Sequence, residues 1–236
     1  STSVYLSPDS RWLALENNGQ LRLYDLKSDQ PWKPAYKYDD ERSKSKLVFS
    51  PDSRWLVGLD ADGLSLWDLK TDKIPQTPLH LEGKDEKGFN SFFFTPDNRN
   101  VITLNKEGIL QAWSLLDQPV TSVTFPQGNV RLKQAAISRD GRWITGMDQE
   151  NAGYLWFLPE TGGEPVLQEN GGSWIGGEFS QTGRWMAGSK VIDNVQTIQL
   201  FDLSVRPYRL YTLPMEGFSG DGSLAFSKDE RWLSVQ

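Results

Sequence analysis

The chain has 236 residues, with 25 Lys and Arg against 31 Asp and Glu, one His and no Cys, for a formal charge of −6. Without thiols and with a single imidazole, Cys/His zinc sites, iron–sulfur clusters, Cys nucleophiles and disulfides are excluded, so packing has to stabilise the fold. The acidic balance argues against a nucleic-acid partner, because non-specific binding to polyanions depends on clustered Lys and Arg.

No stretch approaches the roughly eighteen apolar residues that a spanning helix requires. The start, Ser1-Thr2-Ser3-Val4-Tyr5, has neither a basic region nor an apolar signal core, so no membrane association is expected. The absence of Asn-x-Ser/Thr sites together with zero Cys favours a cytoplasmic setting. A strand-like segment that begins almost at once, with no initiator Met, reads as a chain cut from something longer.

Internal self-similarity organises the chain. Ser7-Pro8-Asp9-Ser10-Arg11-Trp12 recurs as Ser50-Pro51-Asp52-Ser53-Arg54-Trp55, Thr95-Pro96-Asp97-Asn98-Arg99-Asn100 and Ser138-Arg139-Asp140-Gly141-Arg142-Trp143. Two further copies are Ser180-Gln181-Thr182-Gly183-Arg184-Trp185 and Ser227-Lys228-Asp229-Glu230-Arg231-Trp232, and the intervals run from 42 to 47 residues. A second signature follows each of the first five copies: Leu21 to Leu26, Leu64 to Leu69, Leu110 to Leu115, Tyr154 to Leu158 and Ile198 to Leu203. These segments are short, rich in β-branched or aromatic residues and bounded by Gly, Asn or Asp, which predicts strands.

Each unit parses in chain order. A first strand ends in an apolar residue followed by Ser or Thr and enters a tight turn, where Pro presets φ and the neighbouring Asp caps the turn with its side chain. Arg-Trp-Leu opens a second strand. A Gly/Asn/Asp turn leads to the Tyr/Trp-Asp strand, and a more variable fourth strand follows. Four antiparallel strands in about 43 residues make one blade. The near-continuous apolar runs Trp55-Leu56-Val57-Gly58-Leu59 and Ser91-Phe92-Phe93-Phe94 predict blades that cover each other's faces, with Trp as the filling.

Ser50-Pro51-Asp52 followed by Leu66-Trp67-Asp68-Leu69 resembles the repeat of the WD40 β-propeller family, in the divergent form common in bacterial multidomain proteins, and the resemblance covers essentially the whole chain. It implies an all-β propeller. The family's Gly-His dipeptide is absent, and only Trp67-Asp68 keeps the exact Trp-Asp; Tyr24-Asp25 and Phe201-Asp202 are variants, while Trp113-Ser114 and Trp156-Phe157 lose the Asp. Inter-blade Trp packing is therefore the expected stabiliser. Five complete blades are expected at about 1–43, 44–86, 87–129, 130–172 and 173–219, with a partial sixth at 220–236. The count reads as part of a six- or seven-bladed ring, and unclosed blade edges would invite self-association.

No chemistry-bearing motif emerges. There is no Gly-x-Ser-x-Gly elbow, phosphate loop or dinucleotide fingerprint, and His80 reads as an ordinary fourth-strand residue. Asp60-Ala61-Asp62-Gly63 reads as a hairpin turn and not as a calcium loop. The Arg before each Trp reads as bracing the turn or stacking on Trp. Gly171 to Gly177 is read as an innermost strand crowding the axis, in preference to a ligand pocket. No catalytic residue, metal site or cofactor is expected.

In the resembled family, the loops entering each blade and those joining its second and third strands share the commonly used face. Here that face implies Tyr38, Asp40, Arg42, Lys84, Glu86, Glu107, Glu150, Trp174 and Asp193 as binding residues, with Tyr38 and Trp174 as aromatic anchors. The expected function is a non-catalytic scaffold or sensor module that binds partner proteins or peptides. The alternative is a substrate-recognition or gating propeller of a larger enzyme, such as a peptidase, kinase or signalling ATPase, whose catalytic domain lies outside this chain.

Overall fold

The structure is a computed structural model describing residues 2–39, 46–59, 63–70, 74, 78–82, 88–116, 120–159, 165–172, 175–193, 195–215 and 223–235. These residues form strands and turns and no helix. The chain divides into two compact units: Ser1–Phe94 with Asn98–Lys106, and Thr95–Asp97 with Glu107–Gln236.

In the first unit, β1 (Thr2–Leu6), β2 (Trp12–Asn17), β3 (Gln20–Asp25) and β4 (Tyr36–Asp39) form one antiparallel sheet in chain order. A second sheet holds β5 (Lys46–Phe49), β6 (Trp55–Leu59), β7 (Gly63–Asp68) and β8 (Leu79–Glu82) in the same order. The third repeat contributes the hairpin of β9 (Phe89–Phe94) and β10 (Asn100–Asn105). The second unit contains the pair β11 (Leu110–Ser114) and β12 (Ser122–Thr124). Next come the four-stranded sheets β13 (Leu132–Ile137), β14 (Trp143–Asp148), β15 (Gly153–Phe157), β16 (Val166–Gly172), and β17 (Ile175–Phe179), β18 (Trp185–Ile192), β19 (Val195–Asp202), β20 (Arg209–Pro214). A last hairpin pairs β21 (Leu224–Phe226) with β22 (Leu233–Val235). Each four-stranded sheet is a blade, as the strand parse predicts.

The turn between first and second strands is built the same way in repeat after repeat. The Ser7 hydroxyl donates to Asp9 Oδ1 at 2.6 Å and accepts the Trp12 N–H at 2.8 Å, while Asp9 Oδ1 also accepts the Arg11 N–H at 3.0 Å. Ser50, Ser138 and Ser227 repeat this latch with Asp52, Asp140 and Asp229. In the fifth repeat Ser180 keeps its bond to Trp185, and Thr182 Oγ1 takes the role of Asp for the Arg184 N–H. The fourth residue of each turn is left-handed, with φ of 58° at Ser10, 61° at Ser53, 75° at Gly141 and 56° at Glu230. Short polar residues and Gly tolerate that conformation best.

That fourth residue also joins one repeat to the next. Within the first unit, Ser53 Oγ accepts from the Asp9 N–H at 3.0 Å and Asn98 Oδ1 from the Asp52 N–H at 3.4 Å; within the second, Glu230 accepts from the Thr182 N–H and hydroxyl. Gly141 has no side chain to offer, and the Pro96 ring fills the space, its Cδ only 2.7 Å from where a Cβ would stand.

The latch aims Arg and Trp in opposite directions. Arg11 forms a fork onto Asp25 with its shortest contact at 2.8 Å, Arg54 does the same to Asp68, and Arg184 reaches Asp202 at 3.2 Å. Each guanidinium also lies 4.8 to 5.0 Å from the ring of the following Trp. Both expected roles of this Arg are present, and the Asp of the second signature is its partner. In the fourth repeat Phe157 stands where the first, second and fifth have Asp: it packs edge-on against Trp143 at 5.1 Å, and the Arg206 guanidinium lies 3.4 Å from its ring centre.

Facing blades bury the Trp side chains. Trp12, Leu23, Tyr36, Phe49, Leu56 and Trp67 belong to one cluster of the first unit, and Trp143, Leu155, Met186 and Phe201 to one of the second. Trp67 and Trp156 are fully buried, and their indole N–H groups donate to Tyr36 OH at 3.1 Å and to the Pro126 carbonyl at 3.2 Å, each in the preceding repeat. Full burial of each large apolar side chain is worth about 1.5–3 kcal/mol. Among the Trp residues at the repeat positions, the exceptions are Trp185, which is half-buried, and Trp232, which is 70% exposed on a hairpin that no third strand covers among the described residues. The glycine run is corrected in one respect: Gly171 and Gly172 end β16, the fourth strand of their blade, and the next inner strand starts at Ile175. Gly177 lies on that inner strand, and a Cβ there would stand 2.7 Å from Thr145 Oγ1 of the adjacent blade.

Two outcomes follow from this packing. Gly177→Val overpacks the contact with Thr145 and should cost about 1–3 kcal/mol in denaturant unfolding, whereas Gly128→Ala, with open space at its Cβ, should cost less despite its positive φ. Bonds from the Ser7 hydroxyl to Asp9, from the Arg11 guanidinium to Asp25 and from the Ser227 hydroxyl to Asp229 hold these carboxyls below the usual range. Their folded values are depressed, so their stabilisation is complete above about pH 4, the unfolded value, and is lost as pH falls through the folded values. The melting temperature should fall on acidification below that point, less steeply in Asp25→Asn than in the parent.

Candidate docking edge

In the first and fourth blades, the turn joining second and third strands has backbone groups satisfied by its own side chains. In the first blade Asn18 and Gly19 both have positive φ, which suits a two-residue hairpin, and Glu16 accepts the Gly19 N–H at 3.1 Å. In the fourth, Asp148 Oδ1 accepts the N–H groups of Glu150 at 2.9 Å and Ala152 at 2.8 Å, and Asp148 Oδ2 accepts the Tyr154 hydroxyl at 3.0 Å. Burial, with that carboxylate beside it, pushes the Tyr154 phenol up, so the hydroxyl stays protonated as the donor. Lys133 donates to the Asn151 side chain, tying the entry of this blade to its hairpin turn.

A second brace lies at the entry to the fourth blade. Buried Gln127 donates through Nε2 to the carbonyls of Gly108 and Val130, both at 2.8 Å, and accepts the Leu110 N–H at 3.0 Å. Gly108, at φ 80°, sits so close to Leu132 that a Cβ would stand 2.5 Å from the Leu132 backbone nitrogen. One carboxamide therefore holds the connecting segment against the turn before β11. Nothing in the local sequence marks Gln127; its role depends on the spacing of three backbone groups that only the fold brings together.

On this frame, Glu150 stands exposed on the turn before β15, and Asp193 stands exposed at φ 50° on the turn before β19. Glu107 is half-buried in the turn before β11. Tyr38 is a correction: it lies within β4 and not in a loop, half-buried, stacked on Tyr36 at 6.4 Å between ring centres and edge-on to Trp67 at 5.6 Å. It is packing between two blades of the first unit and not an exposed anchor. Asp40, Arg42, Lys84, Glu86 and Trp174, and the Asp60–Asp62 part of the acidic hairpin turn, lie outside the described residues. The exposed aromatic that was not anticipated is Trp32, 75% exposed in the connection between β3 and β4, at the other end of its blade.

Among the described residues, no three His, Cys, Asp or Glu side chains group as metal ligands. His80 lies in β8 as expected, its Nδ1 3.4 Å from Ser65 Oγ on the neighbouring strand. No helix among the described residues is long and apolar enough to cross a membrane.

No protein-family model matches the chain. Over 163 residues it is 22% identical to the target of rapamycin complex subunit wat1 of Schizosaccharomyces pombe, covering 69% of this chain and 51% of that protein. The chain thus spans about half the length of the curated relative it matches. The β-propeller domain of Myceliophteria thermophila Cps50 (Swd1) superposes with a TM-score of 0.54 at 15% identity, over 92% of this chain and 72% of that one. The fold is a β-propeller, and the repeats resemble the WD40 type. Propellers of other chemistry are similarly near. A chain of Kuenenia stuttgartiensis hydrazine synthase gives a TM-score of 0.52 at 12% identity over 98% of this chain and 71% of that one. A putative 6-phosphogluconolactonase of Bacteroides fragilis gives 0.52 at 14% over 88% and 68%.

For this propeller, Gln127→Ala should strand the Leu110 N–H, while the Gly108 carbonyl keeps the Leu132 N–H and the Val130 carbonyl keeps Arg131 Nη1 as donors. Each unsatisfied buried group costs roughly 1–3 kcal/mol. We expect a lowered denaturation midpoint, and faster hydrogen exchange at Leu110 than at Leu155 in the same variant.

Proposed function

We propose that the chain is a non-catalytic interaction scaffold that docks partner proteins on the edge formed by its second-to-third-strand turns. The observation that carries this reading is the construction of those turns in the second unit: Asp148 and Gln127 use their polar groups internally, leaving Glu150 exposed on a preorganised turn, and Asp193 is exposed on the turn before β19. Preorganised polar side chains lose little entropy when a partner binds. Similarity to a protein named as a complex subunit supports protein partners. Lys84, Glu86, Asp40, Arg42 and Trp174 are carried as further binding residues on the family resemblance alone, and a cytoplasmic setting is proposed on the composition. The reading as a recognition or gating propeller of a larger enzyme uses the same edge and differs in what flanks the chain.

The test is crosslinking with mass-spectrometric mapping of the partners that the chain captures. Crosslinks should concentrate on this edge and fall about tenfold in the double variant Glu150→Lys, Asp193→Lys, since reversal of interfacial charge disrupts complementarity. Equal capture by the folded double variant would overturn the site.

A further inference from the structure

The second residue of the latch turn changes character along the chain. It is Pro8, Pro51 and Pro96 in the first three repeats and Arg139, Gln181 and Lys228 in the last three. Pro presets the φ this position needs. Its replacement by two cations and an amide in consecutive repeats therefore exchanges a conformational aid for surface charge. The structure brings the three together: the Gln181 carboxamide, oriented to satisfy both of its groups, accepts from Arg139 Nη1 at 2.9 Å and donates to the Lys228 carbonyl at 3.3 Å. Arg139, Gln181 and Lys228 are all exposed and form one row across three turns.

The carboxylates of these turns, exposed at Asp140 and Asp229, are each engaged by donors of the turns themselves. Asp140 accepts from Ser138 and the Arg142 N–H, Asp229 from Ser227 and the Arg231 N–H, and Glu230 from Thr182. Arg184 adds a guanidinium that is 52% exposed even while paired with Asp202, and Arg206 lies over Phe157 at the same end of the fourth blade. Among the described residues, Arg139, Arg206 and Lys228 form no ion pair with a carboxylate. Exposed cations free of carboxylate ion pairs thus line these turns, beside carboxylates already engaged by turn donors, on a chain whose formal charge is −6.

We infer that the row Arg139–Gln181–Lys228, flanked by Arg184 and Arg206, is a second docking surface that takes an acidic polypeptide segment of a partner protein. Charge complementarity selects the occupant. A short acidic segment can engage this row alone, whereas a long polyanion such as nucleic acid would also meet the acidic surplus of the chain. The surface lies at the first-to-second-strand turns, the opposite end of each blade from Glu150 and Asp193, and is independent of the docking edge proposed above.

Fluorescence anisotropy of a labelled oligoglutamate peptide against the full chain tests this. The double variant Arg139→Gln, Lys228→Gln should weaken binding about tenfold, and Gln181→Arg should strengthen it, as expected for charges that contact the ligand. The control Lys133→Gln, Lys190→Gln removes equal charge at the other end of the blades and should leave binding within about twofold. Equal losses in both double variants, or none in the first, would overturn the proposal. So would tighter binding of a single-stranded DNA oligonucleotide of matched charge, which would assign the surface to nucleic acid. The Glu150→Lys, Asp193→Lys variant should bind the peptide at least as well as the parent, so this result and the fate of the other edge are read separately.

Discussion

One hydroxyl sets the geometry of each blade. The Ser at the end of the first strand accepts the N–H of Trp five residues on and donates to Asp two residues on, and the Asp in turn receives the N–H of the intervening Arg. Three polar groups of a tight turn are satisfied by two side chains, so the turn can be buried at its Ser end without an orphaned donor. Ser7, Ser50, Ser138 and Ser180 are all buried. With the turn closed, the second strand must start with Trp facing the neighbouring blade and Arg facing outward along its own sheet. The identity of the Ser is thus a condition for Trp packing, although the two side chains are chemically unrelated.

The Arg then links the second strand to the third. Where the third strand ends in Asp, as at Asp25, Asp68 and Asp202, the link is a charge-assisted hydrogen bond. These pairs are partly exposed, and such surface pairs contribute less than about 1 kcal/mol each. Their geometric effect outlasts their energy, because the guanidinium lies across the Trp ring and closes the outer side of the core. The fourth repeat shows that the position can be met differently: Phe157 replaces the carboxylate and packs on Trp143, and a guanidinium from the following repeat, Arg206, covers it. Aromatic contact substitutes for an ion pair without altering the strand order of the blade.

The repeat was legible because its chemistry is local. Ser, Asp, Arg and Trp within six residues announce the turn, and the strands on either side have apolar runs that their burial explains; every residue of β6 and β15 is buried. The Arg–Asp pairing was readable in principle, since Arg and Asp occur together in the first, second and fifth repeats at separations of 14 to 18 residues. Tyr38 was misplaced for want of attention to alternation. Tyr36-Lys37-Tyr38-Asp39 has an aromatic at every second position, and the structure makes it a strand with Tyr36 buried and Tyr38 packed on Trp67. Gln127 could not be read at all, because Gly108 and Leu110, the partners that give it its role, lie 17 to 19 residues away and meet it only in the folded chain.

These constraints give the two ends of a blade different freedom to vary. At the hairpin end, the turn has to satisfy only its own backbone, and Glu16 and Asp148 do so by different contacts within their own blades. At the latch end, Ser, Trp and, in most copies, Asp are committed to the fold, and the fourth residue is committed to a left-handed backbone. The second residue is the freest to vary: Pro96 packs against Gly141, whereas Gln181 bonds Arg139 and the Lys228 carbonyl. Pro is its conformationally economical occupant, so a departure from Pro in three consecutive repeats has no explanation within the blade. The side chains that replace it align across blades because the ladder from the fourth residue, Glu230 to Thr182 for example, fixes each turn against the next. A surface assembled in this way inherits the rigidity of the latches beneath it, and its charge can change without disturbing the packing that the latches support.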